Sequence, residues 1–546
     1  PYNANQLNEN ENNKNREYPI IDRRIKETYV ALRDSHKTKT YDMFVRFVRW
    51  ASDRIEDNGI VAFVTNRSFI DKRAFDGFRK SLALEFSDIY VVDLGGDARE
   101  GEARSEGNIF GIRVGVAISF LVRRGQAKAV HVNVSNEAKG TREDQLAFLG
   151  KSNIGSITFD KQRPNSDGDW LELERAEFSK LLPLTVPKLS GKAQSGDRNA
   201  IFSLASFGCV SNRDDWVYDF DASSLTRKLR YNNEVAKLPL DLPKDWETKL
   251  NYEIKWTQDL RRKAAQRVRL QFHRDHVIDA LYRPFVKRKF YFDADLNWSL
   301  YRMPNMFPDG EDNNRTFFFS DRGARAPFSV LAADRVAELH LCASTDGFQS
   351  VSRYEYKAGE YVSNVTDWAL QQFRAHYEKE KKTPKRPITK DAIFHYVYGV
   401  LHDPAYREKY ALNLKREFPR IPFYADFWRW ADWGEALMAL HIGYETVEPW
   451  PLARIDTPDE KAEGTGTAPK ALLRADKDAG TIQLDTETQL SGVPREAWDY
   501  RLGNRSALEW ILDQYKEKTP KDPTIRAKFN TYRFADHKEK VIDLLK

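Results

Sequence analysis

The densest chemistry in this chain of 546 residues is cationic. Between Lys255 and Lys289, in KWTQDLRRKAAQRVRLQFHRDHVIDALYRPFVKRK, eleven Lys or Arg stand against three Asp, a local excess of eight. Arg261, Arg262, Lys263, Arg267, Arg269 and Arg274 are spaced to suit a helix whose face lines phosphates, where each neutralised phosphate releases counterions. The aromatic stretch FYFDADLNWSLYRMPNMFP follows at once, and rings set among basic groups are what base stacking uses. A solvated helix face explains the same charge with no ligand at all, and both readings stand at this point. Other chemistries find less support. His273 and His276 of HRDH lack a third ligand, so a structural or solvated role is favoured over a metal, and none is expected. Cys209 and Cys342 provide neither a disulfide framework nor a zinc cluster, and their apolar surroundings predict buried thiols.

Composition narrows the classes. A balance of 87 basic to 81 acidic residues permits nucleic-acid binding without demanding it. No apolar run reaches the length of a membrane span, and with so few cysteines a reducing, cytoplasmic setting is expected, with no membrane partner. An aromatic content of 13% asks for large cores or stacking surfaces. The length suits roughly two to four domains.

The elements that must position these groups are readable in the opening third. TYDMFVRFVRWASDRIEDNG sets Tyr41, Phe44, Val45, Val48, Ala51 and Ile55 at helical spacing, with arginines on the other face. Asp57-Asn58-Gly59 ends that helix. IVAFVT then predicts a strand buried on both faces of a parallel sheet. KRAFDGFRKSLALEF is a second amphipathic helix, DIYVVDLGG a second strand, and VGVAISFLVRR and AKAVHVNVS two more. This alternation implies an open α/β sheet with crossover helices. Residues 137–200 are polar and marked by Pro164, Asn165, Ser166 and Gly168, so they are expected to form a connector. Near the end, WDYRLGNRSALEWILDQY predicts a loop and then a helix carrying Leu508, Trp510, Ile511 and Leu512.

Taken in order, Pro1-Tyr2, YDMFVRFVRWASDRIEDNGIVAFVTNRSFI, FRKSLALEFSDIYVVDLGG and NIFGIRVGVAISFLVRR resemble the second half of adenine-N6 DNA methyltransferases. In that family a strand ends in Asn-Pro-Pro-Tyr, and Pro1-Tyr2 match its last two letters. The resemblance implies that an adenine is flipped out of the duplex into a pocket, because its amino group is unreachable inside the stack. It gives Tyr2 the role of stacking on that base, and it matches Phe110 to the second stacking aromatic. An ordinary core position at a strand entry remains the alternative for Phe110. The resemblance also implies S-adenosyl-L-methionine as methyl donor. The family's Gly-rich cofactor loop and ribose-binding acid precede the tetrapeptide, so they are expected upstream of Pro1, and the chain is expected to be a fragment that binds no cofactor alone.

The remaining segments SNRDDWVYDF, LYRPFVKRKFYFD, SDRGARAPFSVLAADRVAELHL, ITKDAIFHYVYGVLHDPAYREKYALNLKREFPRIPF and LGNRSALEWILDQY together resemble the C-terminal specificity region of type ISP restriction-modification enzymes. In these, nuclease, helicase-like ATPase, methyltransferase and target-recognition parts share one polypeptide, and the nuclease, the ATPase and the cofactor-binding half of the methyltransferase are expected upstream. The expected fold is therefore α/β: the back half of a Rossmann-like methyltransferase sheet over 1–136, a connector over 137–200, and a mixed α/β target-recognition domain over 201–546. The expected function is recognition of a double-stranded DNA site with adenine-N6 methylation. Phosphates set the register and base edges are read in the major groove, with Arg283, Arg322, Arg325, Arg353 and Asn504 as candidate readers. A stand-alone DNA-binding specificity module without catalysis is one alternative. An α/β scaffold unrelated to nucleic acid is another.

Overall fold

The computed structural model describes residues 18–32, 41–96, 108–112, 114–126, 128, 131–165, 168–171, 175–185, 199–237, 247, 250–266, 268–343, 346–378 and 386–546. The chain divides into two compact units, Pro1–Arg175 with Lys415–Glu417, and Ala176–Leu414 with Phe418–Lys546.

In the first unit, helix α1 (Pro19–Ile25) and helix α2 (Met43–Ser52) precede strand β1 (Asn58–Asn66). Helix α3 (Asp76–Glu85) then leads to β2 (Asp88–Gly95), β3 (Val116–Arg124) and β4 (Val132–Ser135). Helix α4 (Arg142–Lys151) and β5 (Asp160–Gln162) complete it. The sheet order is β1-β3-β2-β4-β5. Only β2 and β4 pair in parallel, Val91 opposite Val134; β3 runs antiparallel between β1 and β2, Val61 opposite Leu121 and Ile89 opposite Leu121. The expected crossover helix α3 is present, but a strand lies inserted between the two strands it joins.

That insertion corrects the reading of IVAFVT. Strand β1 ends the described sheet and alternates, with Val61 and Thr65 buried and Ile60, Ala62 and Val64 exposed. A short apolar run cannot by itself distinguish an edge strand from a central one. Residues 142–162, expected in the connector, instead supply α4 and β5 to this unit. Helix α2 brings a second correction, because its arginines face inward. Arg46 donates to Asp22 at 2.8 Å and Arg49 donates to both oxygens of Glu85 at 2.7 Å, while Phe47 and Trp50 stay about half exposed. Burial of an arginine is tolerable when each fork meets a carboxylate. The core beneath is aromatic: Phe44, Phe69, Phe75 and Phe78 meet at tilted or edge-to-face angles, with Tyr29 and Trp170 closing the cluster.

The second unit is built on a four-stranded antiparallel sheet of Ser206–Phe207, Phe348–Ser352, Glu311–Ser320 and Val330–Arg335. Successive side chains of a strand point to opposite faces, so Phe317 and Phe319 enter one core while Phe318 enters another. All three are fully buried, and the sheet is the wall between the cores. On one side the helices Lys390–His402 and Phe427–Ile442 cross at Gly399 and Gly434. A Cβ on Gly434 would lie 1.9 Å from the His395 carbonyl oxygen, so only glycine fits. On the other side lie a three-stranded sheet that includes Val277–Arg283 and Val286–Tyr291, and the expected helix Ala507–Tyr515. That helix starts with a reciprocal capping box between Ser506 and Glu509. Both cysteines are buried, as their surroundings predict. Among the described residues, no helix is long and apolar enough to cross a membrane.

Candidate nucleic-acid interface

Two places expose groups suited to DNA on rigid supports, one in each unit. Pro1, Tyr2 and Arg267 lie outside the described residues.

In the first unit, Phe110 sits in a turn at the entry to β3 and is 60% exposed. The turn closes through the Gly111 N–H to the Asn108 carbonyl at 3.0 Å, with Gly111 at φ +66°. Asn108 is buried beneath it. Its Nδ2 donates to the carbonyls of Gly96 at 3.0 Å and Val114 at 2.9 Å, and its Oδ1 accepts from the Phe110 N–H at 2.9 Å. Gln145, also buried, accepts from the Ile109 N–H at 3.1 Å and donates to Leu94 and Gly140. Ile109 packs inward against the small cluster of Val92, Leu94, Val116 and Ala138. The ring of Phe110 is thus turned outward while its backbone is held.

Close by, at the ends of β1 and β2, Arg67 forks onto Asp93 at 2.7 and 2.8 Å and reaches Asp71 at 3.1 Å, and Lys139 adds a contact to Asp93 at 3.2 Å. Burial opposes the charge of Asp93, but the Arg67 hydrogen bonds and charge outweigh it, and the carboxyl lies below its usual range. This carboxylate is already committed.

In the second unit, the basic run does not form one helix. The helix is Gln258–Ala265, stabilised by its Thr257 cap. Arg269 lies beyond it in non-helical chain, and Arg274 opens a short 3-10 turn, Arg274–His276. Arg262 is exposed beside Asp259, Arg261 lies 4.0 Å from Glu247, and Lys263 bonds Asp259 at 3.0 Å and the Ala294 carbonyl. Arg261, Arg262 and Arg269 retain surface exposure, whereas Lys263 is largely covered.

The candidate readers separate in the same way. Arg283 is corrected outright: it lies in the interior, bonded to buried Glu338 with its guanidinium 4.2 Å from the Tyr282 ring. Burial raises Glu338, and Arg283 offsets part of that cost. Arg353 forks onto Asp391 at 2.8 and 2.7 Å, and it holds that carboxyl below its usual range. It lies apart from the others, at the base of the hairpin Tyr354–Ser363.

The loop that carries Arg322 and Arg325 lies against the turn that carries Asn504. Residues 321–329 connect two strands of the central sheet, and Arg501–Leu502 pairs with Arg505–Ser506 in a hairpin whose turn is Gly503-Asn504. The Gly503 N–H donates to Ser329 Oγ at 2.6 Å, seating the hairpin on the loop. Gly503 has φ +67°, and a Cβ there would lie 2.2 Å from the Cys342 carbonyl oxygen, so the approach requires glycine. Arg325 is steered by Asp346 at 2.9 Å, which also accepts from the N–H groups of Arg325 and Ala326. Arg322 stacks over Phe418 at 4.7 Å, and Gly323 leaves the tip open. Below the hairpin, Tyr500 donates to or accepts from His441 Nε2 at 2.9 Å, and Trp510 donates to the Leu502 carbonyl at 2.8 Å. Arg501 and Arg505 join this corner unannounced by the sequence reading; their alternation across a Gly-Asn turn was the available signal.

The family described as the Type ISP C-terminal specificity domain matches residues 200–544, more than half of the chain. The chain belongs to this family. Its mixed parallel and antiparallel α/β architecture resembles the C-terminal methyltransferase and target-recognition region of Type ISP enzymes. The chain is similar over 100% of its length to the cryo-electron-microscopy structure of a DrdV–DNA complex, at 46% identity and TM-score 0.84, covering 54% of that chain. It is similar at 29% identity and TM-score 0.79 to a nuclease-deletion mutant of the Type ISP restriction-modification enzyme LlaGI in complex with a DNA substrate mimic, covering 100% of this chain and 50% of that one. A third match is the ATP-dependent Type ISP enzyme LlaBIII bound to DNA, at 25% identity and TM-score 0.77, covering 100% of this chain and 36% of that one. The chain therefore spans about half, or less, of these relatives. No curated protein matches it.

Proposed function

We propose that residues 200–544 recognise a duplex DNA target on behalf of a Type ISP restriction-modification polypeptide, reading bases through the corner formed by residues 321–329 and 501–506. One observation carries this. The loop that carries Arg322 and Arg325 and the hairpin turn that carries Asn504, about 180 positions apart in sequence, are joined at the backbone by the Gly503–Ser329 hydrogen bond. Arginine forks and an amide are the side chains that pair bidentately with guanine and adenine edges. The relatives solved with DNA support the same reading. Arg261, Arg262 and Arg269 would contribute phosphate contacts, which set affinity and register rather than sequence. Photo-crosslinking from probes placed at Gly323 and Asn504 tests it. Crosslinks to bases within the target are expected; crosslinks to phosphates and sugars alone would move base reading elsewhere.

The Phe110 turn favours a second role for the first unit. An exposed ring on a fixed turn at the sheet's end suits stacking on an adenine flipped from the duplex. On this reading the first unit contributes to adenine-N6 methylation in the whole enzyme. S-adenosyl-L-methionine would supply the methyl group from parts of the polypeptide that these residues do not form, and nuclease and helicase-like ATPase activities would also lie outside this chain.

A further inference from the structure

We infer that Asn108 and Gln145 are positioning residues that hold the Phe110 ring ready for a flipped base; this rests on the stacking reading of Phe110. The support beneath that ring is larger than a surface phenylalanine needs. Asn108 is 3% exposed and Gln145 1%, and burying a carboxamide is costly unless its donors and acceptors are filled. Both are filled here. Asn108 spends its two N–H groups on the carbonyls of Gly96 and Val114, and its oxygen accepts from the N–H groups of Phe110 and, at 3.4 Å, Ile112. Gln145 spends its N–H groups on Leu94 and Gly140 and accepts from Ile109.

Together the two amides tie the end of β2 (Leu94, Gly96), the turn before α4 (Gly140) and the entry to β3 (Val114) to the three residues around the ring. Ile109 is drawn into the small core, and Arg142 Nε donates to its carbonyl at 3.2 Å. Among the described residues of the turn, the side chains of Phe110 and Ile112 are left exposed. Stacking rewards a ring already in place, because ordering a loose turn when the base arrives would consume the gain. The two amides themselves carry no charge to titrate.

The test uses the full-length enzyme and a duplex carrying the adenine that it methylates. Flipping that adenine leaves its thymine partner unstacked, and permanganate oxidation of the thymine reads the flipped population. Asn108→Asp and Gln145→Glu keep size but lose the N–H donors. Each is expected to lower thymine oxidation about tenfold, as Phe110→Ala does, with duplex affinity unchanged. The double variant Asn108→Asp/Phe110→Ala should be no worse than Phe110→Ala alone, because both act on one ring. Parental oxidation in Asn108→Asp or Gln145→Glu while Phe110→Ala is impaired would overturn the inference and leave the stacking reading intact. So would losses that add in the double variant, the mark of a merely structural role. Parental oxidation in Phe110→Ala would remove the stacking reading itself. If Asn108→Asp melts below the assay temperature, Gln145→Glu decides by the same criteria.

Discussion

The Phe110 turn and the Arg322–Asn504 corner solve one problem in two ways. Each puts a functional group on an exposed turn and pins the backbone underneath. The first is pinned by two buried amides and presents an uncharged ring. The second is pinned by a glycine at close approach, with His441 and Tyr500 behind it, and presents arginines already shared with carboxylates. On the proposed reading the difference follows from what each would bind. A flipped base needs a plane in a fixed place, whereas a base edge or phosphate must displace an existing ion partner. On the proposed reading Arg325 would give up part of Asp346 and Arg505 part of Asp513, so the corner would bind with less net energy per charge and with more selectivity.

The largest expected effect breaks the corner from below. Gly503→Ala should cost about 3 kcal/mol in denaturant unfolding, from both the clash and the positive φ. Gly323→Ala, at φ +82° with open space around it, should cost only about 1 kcal/mol. Equal costs would mean that the hairpin is not seated as described.

Acid should separate the two supports. His441 lies 8% exposed between the hydroxyls of Tyr398 and Tyr500. Burial, and then the charge of Arg407, push its pKa down to about 4 from 6.5. The unfolded chain therefore takes up a proton that the folded chain refuses. Stability is full above the unfolded value and falls as pH drops from 6.5 towards about 4, by up to about 3 kcal/mol. His402, also driven down by burial, acts in the same direction. His441→Gln should flatten the slope in urea melts taken across that window. The two amides that hold the Phe110 turn do not themselves titrate in that window.

Next in size is the ring itself. Phe110→Ala should remove about 1–3 kcal/mol of stacking, seen as slower methylation by the full-length enzyme at unchanged duplex affinity. The smallest effect belongs to the short basic helix. Arg262→Glu should leave thermal stability within about 0.5 kcal/mol, and if the exposed guanidinium meets a phosphate it should lower the salt slope of binding by about 0.9. An unchanged slope would make this face solvated only.

Much of the scaffold was legible in the sequence, because it rests on local periodicity. Phe75, Phe78, Leu82 and Phe86 mark α3 and all are buried, and Ala507–Tyr515 follows the expected stripe. What escaped depends on partners distant in sequence. Arg283 reads as surface cation until Glu338, 55 residues on, meets it in the core. Arg46 and Arg49 read as solvated until Asp22 and Glu85 are placed beside them. The basic run reads as one helix because charge counts ignore where the hydrogen-bonded ladder ends, at Ala265. Phe110 could not be told from a core residue, since the amides that expose it stand two and 35 positions away. The seating of the 501–506 hairpin on the 321–329 loop is a tertiary fact with no local signature.

The central claim, that this chain reads DNA sequence through the corner, is tested most directly by equilibrium binding across a salt series. The target duplex of the full-length enzyme is compared with a scrambled one, for the parent and for Arg322→Ala/Arg325→Ala. The account predicts a parental preference for the target on the order of a thousandfold, most of it lost in the variant while binding to the scrambled duplex changes little. Equal affinity of the parent for both duplexes, or a variant that keeps the full preference, would contradict it.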